Sequence, residues 1–240
     1  MTTLLFYENP VALNKQRHKA LRLKNRGEDY GFAANTNSVI LAGVEFSEAA
    51  REYPIVFANA GGHIVPVALL GLKSAQNLFV KEDARWDARY IPAFVRRYPF
   101  VLAETESGRD RMVCIDEGFS GFDEENGEPL FENDEPTPLL KQAMDFLEEY
   151  QKQYARTEIF VKKLVELELL KSLNAKVELA NEAPFGLTGL MVVDEQKLLR
   201  LPDDQALTFF KSGELAWVYC HLMSLGCLSL LLERVNKGES

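Results

Sequence analysis

Histidine and cysteine are scarce in this chain, and their scarcity removes whole classes of chemistry. Of 240 residues, three are histidine and three are cysteine. His18, His63 and His221 lie too far from one another, and from any cysteine, to make a short metal-ligand motif. Cys114, Cys220 and Cys227 are too few for a disulfide framework. Cys220 and Cys227 are seven residues apart, fall on one helical face and read as small buried thiols. Basic charge is also short: 27 Lys and Arg against 36 Asp and Glu leave a net charge of −9. Such a chain repels nucleic acid, and no nucleic-acid partner is expected. The opening "MTTLLFYENP" has neither the basic start nor the long apolar run of an export leader. A reducing, cytoplasmic location is the expectation.

Phosphate loops are missing as well. "GGHIVPVALLG" has no lysine and opens no helix, and "GFSG" at 118–121 is not followed by a helix as a nucleophile elbow would be. Neither a kinase nor a protease signature occurs. No metal and no cofactor is expected.

What is present is a globular composition, 47% hydrophobic and 26% charged, which excludes global disorder. The pattern reads as a single α+β domain over residues 1–240: an antiparallel sheet of hairpins with packed helices and a helical C-terminal third. Residues 1–31 form a basic arm carrying Lys15, Arg17, Lys19, Arg22, Lys24 and Arg26. "EYPIVFA" at 52–58 is echoed by "RYPFVLA" at 97–103. Each copy reads as short helix, Tyr-Pro joint, strand, turn, strand. In the first, Ser47 caps "FSEAARE", "PIVFA" and "VPVALLGL" pair, and "NLFV" at 77–80 adds a third strand. In the second, "IPAFVRR" is the helix and "FVLAE" pairs with "RMVCIDE" across "SGRD".

Residues 116–136 hold nine acidic side chains and no basic one, with Gly, Asn and Pro between them. The reading is a mobile, solvated acidic loop that gates or docks. Its spacing does not match an EF-hand calcium loop. Thr137 and Pro138 open a long helix whose stripe runs through Leu140, Ala143, Phe146, Leu147, Tyr150 and Tyr154 to Phe160 and Leu164. A break near 155–157 is compatible with the pattern. "KVELA" and "GLTGLMVV" read as strands, with a turn at Asp194–Glu195 and an extended continuation. "PDDQALTFFKSG" is a helix with acidic start and glycine stop. "ELAWVYCHLMSLGCLSLLLERV" is apolar almost all round, interrupted by His221, Ser224 and Ser229. It reads as the central buried helix or as a homo-oligomer interface through 215–232, not as a membrane span.

One segment joins charge and aromatics. "RWDARYIPAFVRRYPF" places Arg85, Trp86, Arg89, Tyr90, Arg96 and Arg97 on what reads as a cationic, aromatic helical face. Such a face suits a carboxylate, a phosphate or a peptide. His221 is the second candidate: a core helix seldom spends a position on imidazole, Tyr219 and Ser224 are near it on the helix, and Glu195 is a further titratable candidate.

The blocks "YIPAFVRRYPF", "GEPLFENDEPTPLLKQAMDFLEEYQ" and "VDEQKLLRLPDDQALTFFKSGELAWVYCHLMSLGCL" resemble the bacterial SapC family, and the resemblance extends from about residue 5 to 232. It implies no catalytic residues. It implies an accessory role beside nutrient-uptake or peptide-modification systems, and a family name linked to a surface-layer locus. The functional expectation is a non-enzymatic binding or accessory protein with a protein, peptide or small acidic partner. The alternatives are an enzyme with an unmotifed site around His221, and a surface-array protein.

Overall fold

The computed structural model describes residues 5–24, 29–104, 111–173, 175–177 and 185–238. The mixed α+β class is confirmed, but the strands form several small antiparallel sheets instead of one. The largest has five strands in the order Leu170–Ser172, Leu190–Val193, Ile55–Ala60, His63–Leu69 and Ser38–Ile40. Its centre is the hairpin made by the first Tyr-Pro copy. Gly61 and Gly62 turn it at φ of 62° and 90°, a left-handed pair that side chains resist. Ile55, Val56 and Phe57 fill the core beneath.

"NLFV" does not supply a strand. Among these residues only Val80 bridges Trp86. The Asn77 side chain turns the backbone locally, donating to Ala33 O (3.0 Å) and accepting from Phe79 N (2.9 Å). Ser38–Ile40 takes the sheet edge in its place. The second copy builds the expected hairpin of Phe100–Glu104 and Arg111–Asp116, but in another sheet, where Pro10–Ala12 pairs with Arg111–Asp116 and makes it the central strand. The two joints also differ: Tyr98–Pro99 is cis and Tyr53–Pro54 is trans. The turn expected at 107–110 and the end of "KVELA" lie outside the described residues, as does Arg26.

The acidic segment is not a free loop. It holds four two-residue strands, Phe122–Asp123, Glu128–Pro129, Phe131–Glu132 and Glu135–Pro136. Arg22–Leu23 of the basic arm pairs between the first two. Arg17 and His18 meet Glu117 (2.6 and 2.9 Å), Lys19 meets Asp134 (3.1 Å), and Lys24 meets Asp123. The arm and the loop read separately as solvated runs of opposite sign, and they neutralise each other. Exposed pairs of this kind contribute little singly. Leu23 and Leu130, both buried, anchor the joint.

The long helix runs unbroken over Pro138–Glu166, capped by Thr137, which accepts from Leu140 N. At ~1.5 Å per residue it is about 43 Å long. No break occurs near 155–157 because Thr157 is fully buried. Its hydroxyl donates to Gln153 O (2.7 Å) and accepts from Gly43 N (2.8 Å). Leu140, Ala143 and Leu147 belong to a smaller core with Leu23, Phe100 and Ile115. Tyr150, Phe160, Val161 and Leu164 belong to the main core under the five-stranded sheet. This helix is the element that serves both cores.

The first helix begins earlier than expected. A 3-10 turn at Gly43–Glu45 leads into Phe46–Ala49, and the Glu45 carboxylate, not Ser47, accepts from Ala42 N (2.8 Å). After Leu190–Val193 the chain is helical instead of extended: Asp194 accepts from Gln196 N (3.2 Å) and caps Glu195–Leu198. Asp203–Ser212 ends at Gly213, which is left-handed at φ 77°. The last segment is two helices, Glu214–Ser224 and Cys227–Gly238, joined through tightened bonds from Leu225 N and Gly226 N to Leu222 O and Met223 O. Together they are long and apolar enough to cross a membrane by length and composition, with a third of the apolar window buried. Trp217, Val218, His221 and Leu231 face inward, while Tyr219, Met223 and Leu230 are exposed.

His221 is held on both sides. Its Nε2 accepts from Val193 N (3.0 Å), and its Nδ1–H donates to Ile55 O (2.8 Å). The ring thus links two neighbouring strands of the sheet to the helix. Burial lowers its pKa from 6.5 to about 4 against a smaller opposing effect of Ile55 O. The neutral form therefore stabilises the fold above about pH 6.5. That stability is lost as pH falls from 6.5 toward 4, because the unfolded chain takes up a proton that the folded chain refuses. In urea titrations, wild type should lose about 2–3 kcal/mol more between pH 7 and pH 4.5 than His221→Gln does. Equal losses in both would show that another group is the source.

Candidate functional site

The segment carrying the predicted cationic face is not helical until Ala93–Arg96. Its residues therefore disperse. Arg85 points to solvent and pairs with Asp83 (2.6 Å). Trp86 is half-buried: its Nε1–H donates to the Tyr53 hydroxyl (2.8 Å), which donates in turn to Tyr90 O. Arg89 is exposed, and the backbone N–H groups of Arg89 and Tyr90 donate to Glu52 (2.9 and 2.8 Å). Arg97 is buried, 5% exposed, with its guanidinium 3.9 Å from the Phe94 ring centroid and 5.4 Å from that of Tyr150. Its Nε and Nη2 have no hydrogen-bond partner and are answered by ring faces. It is not part of a solvated rim. Of the predicted residues, Arg89 and Tyr90 line a cavity of about 250 Å³ with Glu48, Arg51 and Glu52, and Arg96 lines a separate, aromatic one.

That cavity has a volume of about 260 Å³. Tyr30, Phe32, Tyr98, Phe119 and Phe146 give it aromatic walls, and Leu23, Val95 and Pro99 floor it. Arg96 and Asp29 also line it, one charge of each sign. Phe32 and Tyr98 stack at 4.1 Å, and Phe119 meets Tyr98 edge-on at 5.2 Å. The Tyr98 hydroxyl donates to Asp116 Oδ2 (3.1 Å), which fixes that ring. Asp116 is fully buried, and its oxygens also accept from the backbone of Glu8, Asn9 and Gly118. Burial, with the Asp116 charge adding to it, pushes the Tyr98 pKa above its usual range, so the ring stays a neutral donor. Leu23 comes from the smaller core and Val95 from the main one. The cavity therefore lies at the seam between them.

Arg96 is anchored. Its Nε donates to Ile91 O (2.9 Å), and its guanidinium lies 5.1 Å from the Phe146 ring and 5.7 Å from the Tyr90 ring. Among the described residues it forms no ion pair. Its helix is placed by Glu45. That carboxylate, 5% exposed, accepts from Ala93 N (2.7 Å), the Tyr90 hydroxyl (2.7 Å) and Ala42 N. Burial raises the Glu45 pKa, while the donors from Ala93, Ala42 and Tyr90 and the charge of Arg96 pull it down.

His221 lies in the core with both nitrogens occupied, so it has no free lone pair or proton to offer a ligand. Tyr219 leaves the same helix outward, and Glu195 sits on an exposed first turn; the three form no common site. Among the described residues no group of His, Cys, Asp and Glu could hold a metal ion. Asp29, Tyr30, Phe32, Phe119 and Phe146 escaped sequence reasoning. Their one signal was aromatic residues in otherwise polar segments ("DYGF", "EGFSGF"), and nothing in the spacing brings them together.

The architecture defines a mixed α+β protein of several small antiparallel sheets around a long helix, with an aromatic cavity at the seam of its two cores. The SapC family model matches residues 13–231, and the chain belongs to the SapC family. No curated protein and no solved structure matches it.

Glu45→Ala leaves two buried backbone N–H groups without an acceptor. It should lower stability by about 2–4 kcal/mol in chemical denaturation. A loss under about 0.5 kcal/mol would mean that water replaces the carboxylate at no cost.

Proposed function

We propose that this protein is a non-enzymatic binding or accessory protein that receives a small acidic ligand or the end of a peptide in the aromatic cavity. The observation that carries the reading is Arg96: an anchored, unpaired guanidinium at a preformed apolar cavity. Ligand sites commonly take this form, an apolar enclosure with a few placed polar groups. Aromatic faces take the body of the ligand, and the outer N–H groups of Arg96 take its carboxylate. We read the setting as cytoplasmic, beside a nutrient-uptake or peptide-modification system. Three free cysteines support the cytoplasmic part, and the family membership supports the rest. Calorimetric titration with 3-phenylpropionate tests the core of the proposal. Wild type should bind, and Arg96→Ala should bind at least tenfold more weakly while unfolding at nearly the same temperature, since Arg96 is exposed. Equal affinities in the two proteins would remove Arg96 from the site.

A second reading, self-association, is favoured by the outer face of the last two helices. Ala216, Tyr219, Met223, Gly226 and Leu230 are exposed at alternating spacings of three and four residues, the period of a two-helix seam. Antiparallel pairing of two copies about the Ser224–Leu225 bond would seat each Met223 against the partner's Gly226. Light scattering should then give a dimer for wild type and a monomer for Met223→Glu. A monomeric wild type at every concentration would dismiss this reading.

A further inference from the structure

Two opposite charges line one cavity and do not pair with each other. Arg96 makes no ion pair among the described residues, and neither does Asp29. Both are nevertheless held. Asp29 Oδ1 accepts from Gly31 N (2.9 Å), leaving Oδ2 available, and Arg96 is fixed through Ile91 O and two ring faces. Each charge arrives with its own aromatic wall. Residues 29–32 bring Asp29 together with Tyr30 and Phe32, and residues 96–99 bring Arg96 together with Tyr98 and Pro99. The two segments meet where Phe32 stacks on Tyr98.

From this geometry we infer that the ligand is a zwitterion with an aromatic or broad apolar body: an aromatic amino acid or a short peptide ending in one. Its carboxylate lies on Arg96, its ammonium on Asp29, and its body lies against the rings of Tyr30, Phe32, Tyr98 and Phe119. A cavity of 260 Å³ is just below the usual range for ligand sites, about 300–1,000 Å³, which favours a molecule of this small size. Groups already held in place lose little freedom on binding, so the anchoring of both charges serves affinity as well as selection. Asp29 and Arg96 are both exposed and stay hydrated when unpaired, so selection comes from the second charge-assisted contact that only a zwitterion makes.

The inference rests on the binding role proposed above, and the experiment separates the two. Calorimetry compares L-phenylalanine, 3-phenylpropionate, phenethylamine and the dipeptide Ala-Phe on the full chain, with tryptophan fluorescence as a second readout, since Tyr30 lies 5.6 Å from the Trp86 ring. Expected is binding of L-phenylalanine or Ala-Phe at least tenfold tighter than of either single-charge probe; whichever of the two binds tighter identifies the free amino acid or the peptide as the source. Asp29→Asn should weaken phenylalanine and leave 3-phenylpropionate as tight or tighter, while Arg96→Gln should weaken both. If 3-phenylpropionate binds as tightly as phenylalanine and Asp29→Asn changes nothing, the zwitterion inference is overturned and the anion site stands. If wild type binds none of the four probes, the inference and the binding role fall together.

Discussion

The helix Pro138–Glu166 is the constraint on which the rest of the structure depends. Its inward stripe serves two cores in succession: Leu140, Ala143 and Leu147 for the smaller, then Tyr150, Phe160, Val161 and Leu164 for the main one. Each large apolar side chain fully buried there contributes about 1.5–3 kcal/mol. The division falls at Phe146 and Tyr150, one turn apart. Arg96 lies over the first ring and Arg97 over the second. A single unbroken helix thus fixes where the two cores meet, and the cavity occupies that seam.

Among the described residues, buried charge is answered by backbone groups, by aromatic faces or by an opposite charge. Glu45 accepts two backbone N–H groups and a tyrosine hydroxyl. Asp116 accepts three backbone N–H groups and the Tyr98 hydroxyl. His221 stays neutral between Ile55 and Val193. Lys163 meets Glu214 through both carboxylate oxygens, at 2.9 and 2.8 Å. Arg97 is answered least well, by rings alone on two of its nitrogens. These groups tie distant parts of the chain together. Glu45 links the first helix turn to the helix of Arg96, and Asp116 links the N-terminal segment to the second hairpin. A buried carboxylate tolerates few alternative arrangements, because losing a donor leaves a desolvated charge. That intolerance keeps the walls of the cavity in register.

Legibility followed the range of the interaction that decided each feature. The two hairpins were readable because Pro54, Pro99, the Gly61–Gly62 pair and the β-branched runs act within a few residues. Thr137, Pro138 and the apolar stripe marked the long helix for the same reason. "NLFV" misled because four apolar residues satisfy the strand pattern, while the Asn77 amide bonds to Ala33, 44 residues away. The acidic segment looked mobile because its partners are in the basic arm, about a hundred residues earlier in the chain. The cationic face was half right: Arg96 reaches a cavity, but a short helix starting at Ala93 sends Arg97 inward.

By itself the sequence determined the mixed class, the positions of the main turns and caps, the family resemblance and the absence of a clustered metal motif. Local sterics and hydrophobic period carry all of these. Only the tertiary structure decided that the two Tyr-Pro hairpins enter different sheets, that His221 is a strut within the core, and that Asp29 and Arg96 share a cavity. Those outcomes depend on which apolar faces bury against which, and on where a desolvated charge finds its donors. Both are settled between residues far apart in the chain, beyond the reach of any local pattern.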